Sequence, residues 1–408
     1  MRFQLVARTG HPDFLDLPWD VPLEDWDVPR LVDVPRGIHR HVVRTVAYGD
    51  DIYVVKELPR RYAQREYRFL RFLAEEAVPV VDVVGVVTQR STGDDEPIDA
   101  ALITKHLEFS LPYRLLFQRE DASRLKEPML DALVDLLVRI HLVGFRWGDC
   151  SLSNTLFRRD AGRLSAYLVD AETGELHDRL TDGQRWSDVD GAVERCAGEL
   201  LDLQAAGVVR ADLDPAELGD ALRQRYDDLW AELTREEVFG PDERYRITDR
   251  LRRINELGFD VEEVELEGQG DRLTLKLSTK VVEPGRHRRR LRELTGLDVQ
   301  DHQAARLLND MESFRAAVES QEERTYPTHV IAARWLQESF EPTVAEIPPE
   351  LRGKRDPAQL FHEVLEHWYF MSTIEGRDMG LLSAARSYAA NVLPHVPDER
   401  TVGDDVEG

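Results

Sequence analysis

The stretch Ile140-His141-Leu142-Val143-Gly144-Phe145-Arg146-Trp147-Gly148-Asp149-Cys150-Ser151-Leu152-Ser153-Asn154-Thr155-Leu156-Phe157 decides how the rest of the chain is read. Met129, Leu133, Leu136, Leu137 and Ile140 lead into it at helical spacing, so a helix over about 124–144 is predicted to stop near Gly144. A tight loop then presents Asp149 and Asn154, and a strand begins at Thr155. Beyond it, Tyr167-Leu168-Val169-Asp170-Ala171-Glu172 reads as a buried apolar strand that ends in a carboxylate. One loop thus carries a carboxylate and a carboxamide, with a strand-borne carboxylate to follow. These are the group types that take up a proton and ligate a hard divalent cation.

Trp147-Gly148-Asp149 with Asn154, followed by Leu168-Val169-Asp170-Ala171-Glu172, resembles the phosphotransfer core of the small-molecule kinase branch of the protein-kinase-like superfamily. That branch includes aminoglycoside and choline kinases and the lipopolysaccharide (Kdo) kinases. Beyond this core, the whole chain resembles an uncharacterised family of high-GC Gram-positive bacteria, whose members join a lipopolysaccharide-kinase-like N-terminal half to a C-terminal domain of unknown function. The usual loop of the branch reads His-Gly-Asp, and Trp147 stands here in place of the His. That departure bears on loop geometry more than on chemistry. The resemblance implies ATP and Mg²⁺ as cofactors, with Asp149 orienting and deprotonating an acceptor hydroxyl, and Asn154 and Asp170 ligating metal.

Upstream, two strands are expected at about 41–48 and 52–58, around the turn Gly49-Asp50-Asp51. The second, Ile52-Tyr53-Val54-Val55-Lys56-Glu57-Leu58, puts Lys56 at the end of an alternating apolar run, where kinases keep the lysine that neutralises the α- and β-phosphates. A helix over roughly 60–76 follows, with Tyr62, Glu66, Phe69, Leu70 and Leu73 on one face. Glu66 is a carboxylate inside that apolar stripe, which is costly unless it is paired, and Lys56 is its natural partner. Ahead of the strands, Pro35-Arg36-Gly37-Ile38-His39-Arg40 occupies the place of a phosphate-covering loop. It holds a single glycine, so Arg36, Gly37 and Arg40 are nucleotide-binding candidates on position, and a solvated loop accounts for them equally well.

The chain of 408 residues carries a formal charge of −25, which argues against general nucleic-acid binding because nucleic-acid phosphates are repelled by the average surface. It contains no long apolar run of the kind that spans a membrane and no signal-peptide-like start. With only two cysteines and no disulfide framework, a cytoplasmic location is expected. Arg286, Arg288, Arg289, Arg290 and Arg292 form a local basic patch, either a solvated helix start or a site for an anionic ligand. Phe361-His362-Glu363-Val364-Leu365-Glu366-His367 misses both zinc-hydrolase helix motifs by one residue, which favours salt bridges along the helix.

The expected architecture is α+β: a two-lobed protein-kinase-like fold followed by an α-rich C-terminal domain. Its parts are an aromatic- and proline-rich arm over 1–30, a kinase-like domain over 31–237, a C-terminal domain over 241–396 and a disordered acidic tail over 397–408. The kinase-like domain divides into an N-lobe at 31–104, a hinge at 105–108 and a C-lobe at 109–237. The function this implies is ATP- and Mg²⁺-dependent phosphoryl transfer to a hydroxyl of a small molecule or glycoconjugate. The alternative is a pseudokinase-like scaffold that binds nucleotide and contacts partners through its C-terminal domain.

Overall fold

The computed structural model describes residues 2–33, 41–117, 122–209, 214–235, 237–239, 254, 257, 259, 265–269, 272–276 and 286–399. The chain forms two compact units, one of Met1–Phe157 with Ala166–Arg235 and the other of Arg158–Ser165 with Glu236–Arg400.

The first unit opens on a five-stranded antiparallel sheet in the order β1-β4-β5-β3-β2, built from β1 (Arg2–Ala7), β2 (Val43–Tyr48), β3 (Asp51–Leu58), β4 (Val83–Ser91) and β5 (Ala100–Lys105). Sequence reasoning assigned no regular element to residues 1–30, yet Arg2–Ala7 is an edge strand. Phe3 and Leu5 alternate along it and pack on the aromatic cluster of Phe14, Trp19 and Trp26. The Trp19 indole N–H donates to the Phe14 carbonyl at 2.7 Å, which lets the ring be buried without an orphaned donor. Helix α1 (Arg60–Glu75) lies against the sheet through Ala63, Glu66, Tyr67, Leu70 and Leu73. Its buried stripe is therefore rotated slightly from the expected one, and Tyr62 and Phe69 are only half-buried.

The remainder of this unit is mainly helical. Helix α3 (Ala122–Leu142), which follows β6 (Ser110–Pro112) and the short α2 (Tyr113–Phe117), buries Leu133, Leu136, Leu137 and Ile140 and packs on α5 (Pro215–Thr234), itself beside α4 (Asp182–Ala205). Between α3 and α4 run β7 (Phe145–Arg146), the hairpin β8 (Thr155–Asp160) and β9 (Arg163–Leu168), and β10 (Glu175–Leu176), which pairs with β7. The strand that leads to Asp170 is tied to the segment before β4: Val81 N–H donates to Leu168 O and Leu168 N–H to Pro79 O, both at 3.0 Å. That segment is a connection, and β4 starts at Val83.

The second unit holds a three-stranded sheet of β11 (Glu237–Phe239), β12 (Glu265–Gln269) and β13 (Arg272–Lys276), with β13 in the centre. Helices α6 (Arg286–Thr295), α7 (Asp301–Glu322) and α8 (Thr328–Trp335) follow. The last runs through a π-helical turn, Leu336–Phe340, into α9 (Glu341–Ala345), ahead of α10 (Pro357–Glu375) and α11 (Leu381–Asn391). Trp335, Phe340 and Phe361 centre one core and Leu360, Val364 and Tyr388 another. From the sequence a helix is also expected over 242–257, after a boundary at Gly240-Pro241; of residues 240–257 only 254 and 257 are among the described residues. Glu399, expected in the disordered acidic tail, is buried and pairs with Arg159 at 2.7 Å and Arg355 at 3.1 Å. Residues 400–408 lie outside the described residues. Among the described residues no helix is long and apolar enough to cross a membrane.

Candidate active site

Lys56, near the end of β3, faces α1 because its pleat position alternates with those of Val55 and Glu57. Its Nζ lies 3.0 Å from Glu66 Oε2, 2.6 Å from Asp170 Oδ2 and 3.8 Å from Glu172 Oε2. Glu66 sits one turn in from the buried Ala63 and is 1 % exposed, so Lys56 is what makes its burial tolerable. A single ammonium serves three carboxylates here. Burial, reinforced by the Asp170 charge, pushes Glu66 up to about 8. Burial alone would lower Lys56, but Glu66 and Asp170 outweigh it and hold the lysine above its ordinary value. Glu172, two residues past Asp170, joins the cluster: its Oε2 lies 2.8 Å from His41 Nε2, and its N–H donates to Asp170 Oδ1 at 2.8 Å. Glu66, Asp170 and Glu172 offer oxygens within 4.8 Å of one another, a set that could hold a metal ion.

The loop carrying Asp149 and Asn154 is held together internally. Asn154 Nδ2 donates to Asp149 Oδ2 at 3.1 Å and to the Asp149 carbonyl at 3.0 Å, which turns the amide oxygen the other way. Val169 N–H donates to Asn154 O at 3.1 Å and couples this loop to the strand end that bears Asp170. Trp147 explains its departure from the usual loop. Its ring is fully buried and its indole N–H donates to the Asp170 carbonyl at 2.7 Å, so the residue before Gly148-Asp149 anchors the metal-ligand candidate. Gly148 (φ +76°) takes a left-handed turn that favours glycine, and Gly144 (φ +78°) does the same where a Cβ would collide with the His177 carbonyl.

Three further residues hold the loop, and none was singled out in the sequence. All lie on α4 at positions 188, 195 and 199, a helical stripe. Asp188 accepts from the backbone N–H of Trp147 at 2.7 Å and of Gly148 at 2.8 Å, and from His141 at 3.1 Å. Its burial opposes ionisation, but these donors outweigh it and keep the carboxyl below the usual range. Glu199 accepts from the N–H of Leu152 at 2.8 Å and Ser153 at 3.1 Å. Arg195 lies 2.9 Å from Asp149 Oδ1 and donates to the Gly148 carbonyl at 2.6 Å. The signal for them was a set of charged positions recurring on a face that also carries Ala192, Cys196 and Leu200. Helix α4 starts at Asp182, where Thr181 and Gln184 form a reciprocal cap.

Arg36, Gly37 and Arg40 lie outside the described residues. In the basic patch, Arg288 is engaged by Asp298 at 2.8 Å, Arg289, Arg290 and Arg292 are exposed, and the Arg286 side chain is outside the description. Along the His362–His367 helix, His362 Nε2 lies 3.3 Å from Glu366, His367 meets Ser387 at 3.0 Å, and Glu363 accepts from Arg355 and Gln359. Both cysteines are buried, and burial raises both thiols.

A solved structure described as WaaP in complex with acyl carrier protein is similar to this chain at 17 % identity, covering 56 % of this chain and 99 % of that one, with a TM-score of 0.36. The crystal structure of the BubR1 kinase domain is similar at 10 % identity over 40 % of this chain and 53 % of that one, with a TM-score of 0.30. No curated protein sequence matches. Residues 39–193 match the lipopolysaccharide kinase (Kdo/WaaP) family and residues 228–393 match a domain of unknown function (DUF4032). The chain thus carries a Kdo/WaaP kinase-family domain in its N-terminal half and a DUF4032 domain in its C-terminal part.

Proposed function

We propose that the protein is an ATP- and Mg²⁺-dependent phosphotransferase acting on a hydroxyl of a small molecule or glycoconjugate. The observation that carries this reading is the junction of the Lys56–Glu66 ion pair with Asp170, beside a loop in which Asn154 holds Asp149. The donor types fit a hard divalent cation: Glu66, Asp170 and Glu172 offer carboxylate oxygens, Asn154 would add an amide oxygen, and the cluster carries more carboxylate charge than Lys56 offsets. When bound there, Mg²⁺ would neutralise the nucleotide's phosphate oxygens. Lys56 would bind the α- and β-phosphates, with Glu66 holding its ammonium in place. Asp149 would orient the acceptor hydroxyl and take its proton, and the amide of Asn154 would fix which carboxylate oxygen faces it.

The test compares three variants in Mg-ATP binding and in phosphoryl transfer, read as ATP hydrolysis while the acceptor is unidentified. Asp149→Ala should keep nucleotide affinity and lose roughly a hundredfold or more in turnover. Asp170→Asn should abolish Mg²⁺-dependent nucleotide binding or turnover, because an amide ligates the ion more weakly than a carboxylate. Lys56→Ala should weaken nucleotide binding itself. Wild-type protein that binds Mg-ATP yet turns over no faster than Asp149→Ala with any acceptor would replace the enzyme with a nucleotide-binding scaffold.

A further inference from the structure

Arg195 has no part in the chemistry above, yet its guanidinium lies against the candidate base. Arg195 Nε is 2.9 Å from Asp149 Oδ1 while Asn154 Nδ2 donates to Oδ2 at 3.1 Å, so each carboxylate oxygen has its own donor. Arg195 Nη2 donates to the Gly148 carbonyl at 2.6 Å, which fixes the guanidinium plane across the loop backbone. A planar fork holding a backbone oxygen and a carboxylate together restricts the rotation of that carboxylate, which a single flexible contact would not do.

The helix is built to seat it. Gly191, one turn before Arg195, lies inside α4, where glycine is a poor helix residue. A Cβ there would stand 2.6 Å from Arg195 Nη1, so the glycine leaves room for the guanidinium to fold back along its own helix. One turn beyond, Glu199 holds the Leu152 and Ser153 amides, so the same stripe grips the loop on either side of Asp149.

We infer that Arg195 is a positioning residue that locks the Asp149 carboxylate in one orientation, and that Gly191 is the space this lock requires. The catalytic consequence rests on the phosphotransferase reading above; the lock itself does not. Side-chain replacement by Arg195→Gln removes the guanidinium, and Gly191→Ala displaces it while leaving it in the chain. Both variants of the full-length protein should lower kcat for Mg-ATP turnover by roughly tenfold or more with KM for ATP within about twofold, the scale on which a misplaced catalytic group costs rate. Gly191→Ala should also melt at or above the wild-type temperature, since alanine favours the helix, so its lost rate cannot come from lost folding. Backbone hydrogen exchange over residues 147–155 should quicken in both variants and stay unchanged over α5. A wild type that turns over while both variants match it in kcat overturns the role of Arg195 and leaves the phosphotransferase standing. If the wild type shows no turnover, the phosphotransferase falls and exchange decides the lock: faster exchange confined to 147–155 retains it, and unchanged exchange overturns it.

Discussion

Trp147 ties the loop it precedes to the strand end that carries Asp170. What the loop needs from that position is a buried N–H directed at the backbone behind Asp170, and the indole supplies it at 2.7 Å. Trp147→Phe keeps most of the ring and loses the donor, leaving the Asp170 carbonyl without that bond. It should cost about 1 kcal/mol of stability and lower turnover by more than that loss of folding explains, since Asp170 would lose its backbone anchor. Trp147→His retains an N–H but empties much of a fully buried site, so its stability loss should be the larger, on the order of 3 kcal/mol. Thermal denaturation with turnover on the same samples checks both, and a Phe variant as active as wild type would show that the indole bond is dispensable.

Lys56 and Glu66 stood out as candidates because one ends an alternating strand and the other sits inside an apolar helical stripe, whereas Asp149, Asn154 and Asp170 stood out through the resemblance of their motif. Asp188, Arg195 and Glu199 did not, because their partners lie some forty to fifty residues upstream and a charged helix face reads as solvated. Edge strand Arg2–Ala7 was missed for a similar reason. Its alternation is short, prolines follow it, and only pairing with β4 makes it a strand. The fit of α1 against β3 has its own consequence, argued from Glu66. The folded value near 8 lies above the ordinary 4.5, so the folded protein holds a proton that the unfolded chain releases across that interval. The folded state binds more protons there, and stability must therefore fall as pH rises from about 4.5 to about 8. Glu66→Gln has no carboxyl to titrate and should show a shallower decline. Melting temperatures of the two proteins at half-unit pH steps check this, and parallel slopes would mean that another group governs the dependence.

The two units are not consecutive lengths of chain, since the hairpin tip Arg158–Ser165 is counted with Glu236–Arg400. This could not be read from the sequence, where the hairpin follows Asn154 directly and reads as one more strand pair. The interaction that carries the arrangement is a cap supplied from far away in the chain. Helix α7 starts with backbone N–H groups that lack intrahelical acceptors. Asp160, 1 % exposed, accepts from His302 N–H at 3.2 Å and Gln303 N–H at 2.7 Å. A carboxylate there satisfies two orphan donors and meets the positive end of the helix. Burial works against its charge and, despite the donors around it, leaves the carboxyl raised, so the two backbone hydrogen bonds and a third from Ser165 Oγ at 3.0 Å are what keep this burial tolerable. Around it, Gln303 donates to the Arg159 carbonyl at 3.2 Å and Gln359 accepts from Ala161 N–H at 3.2 Å, so the hairpin backbone is held by side chains of α7 and α10. Asp160→Ala removes both caps inside a closed environment and should destabilise this unit by about 2–3 kcal/mol. Asp160→Asn retains one acceptor oxygen and should cost less. Hydrogen exchange at His302 and Gln303 should accelerate in the alanine variant ahead of the rest of α7, and urea denaturation should give the order wild type, Asn, Ala. Protection at those two amides that survives Asp160→Ala would mean that the helix start is satisfied by other acceptors and that the hairpin is not its cap.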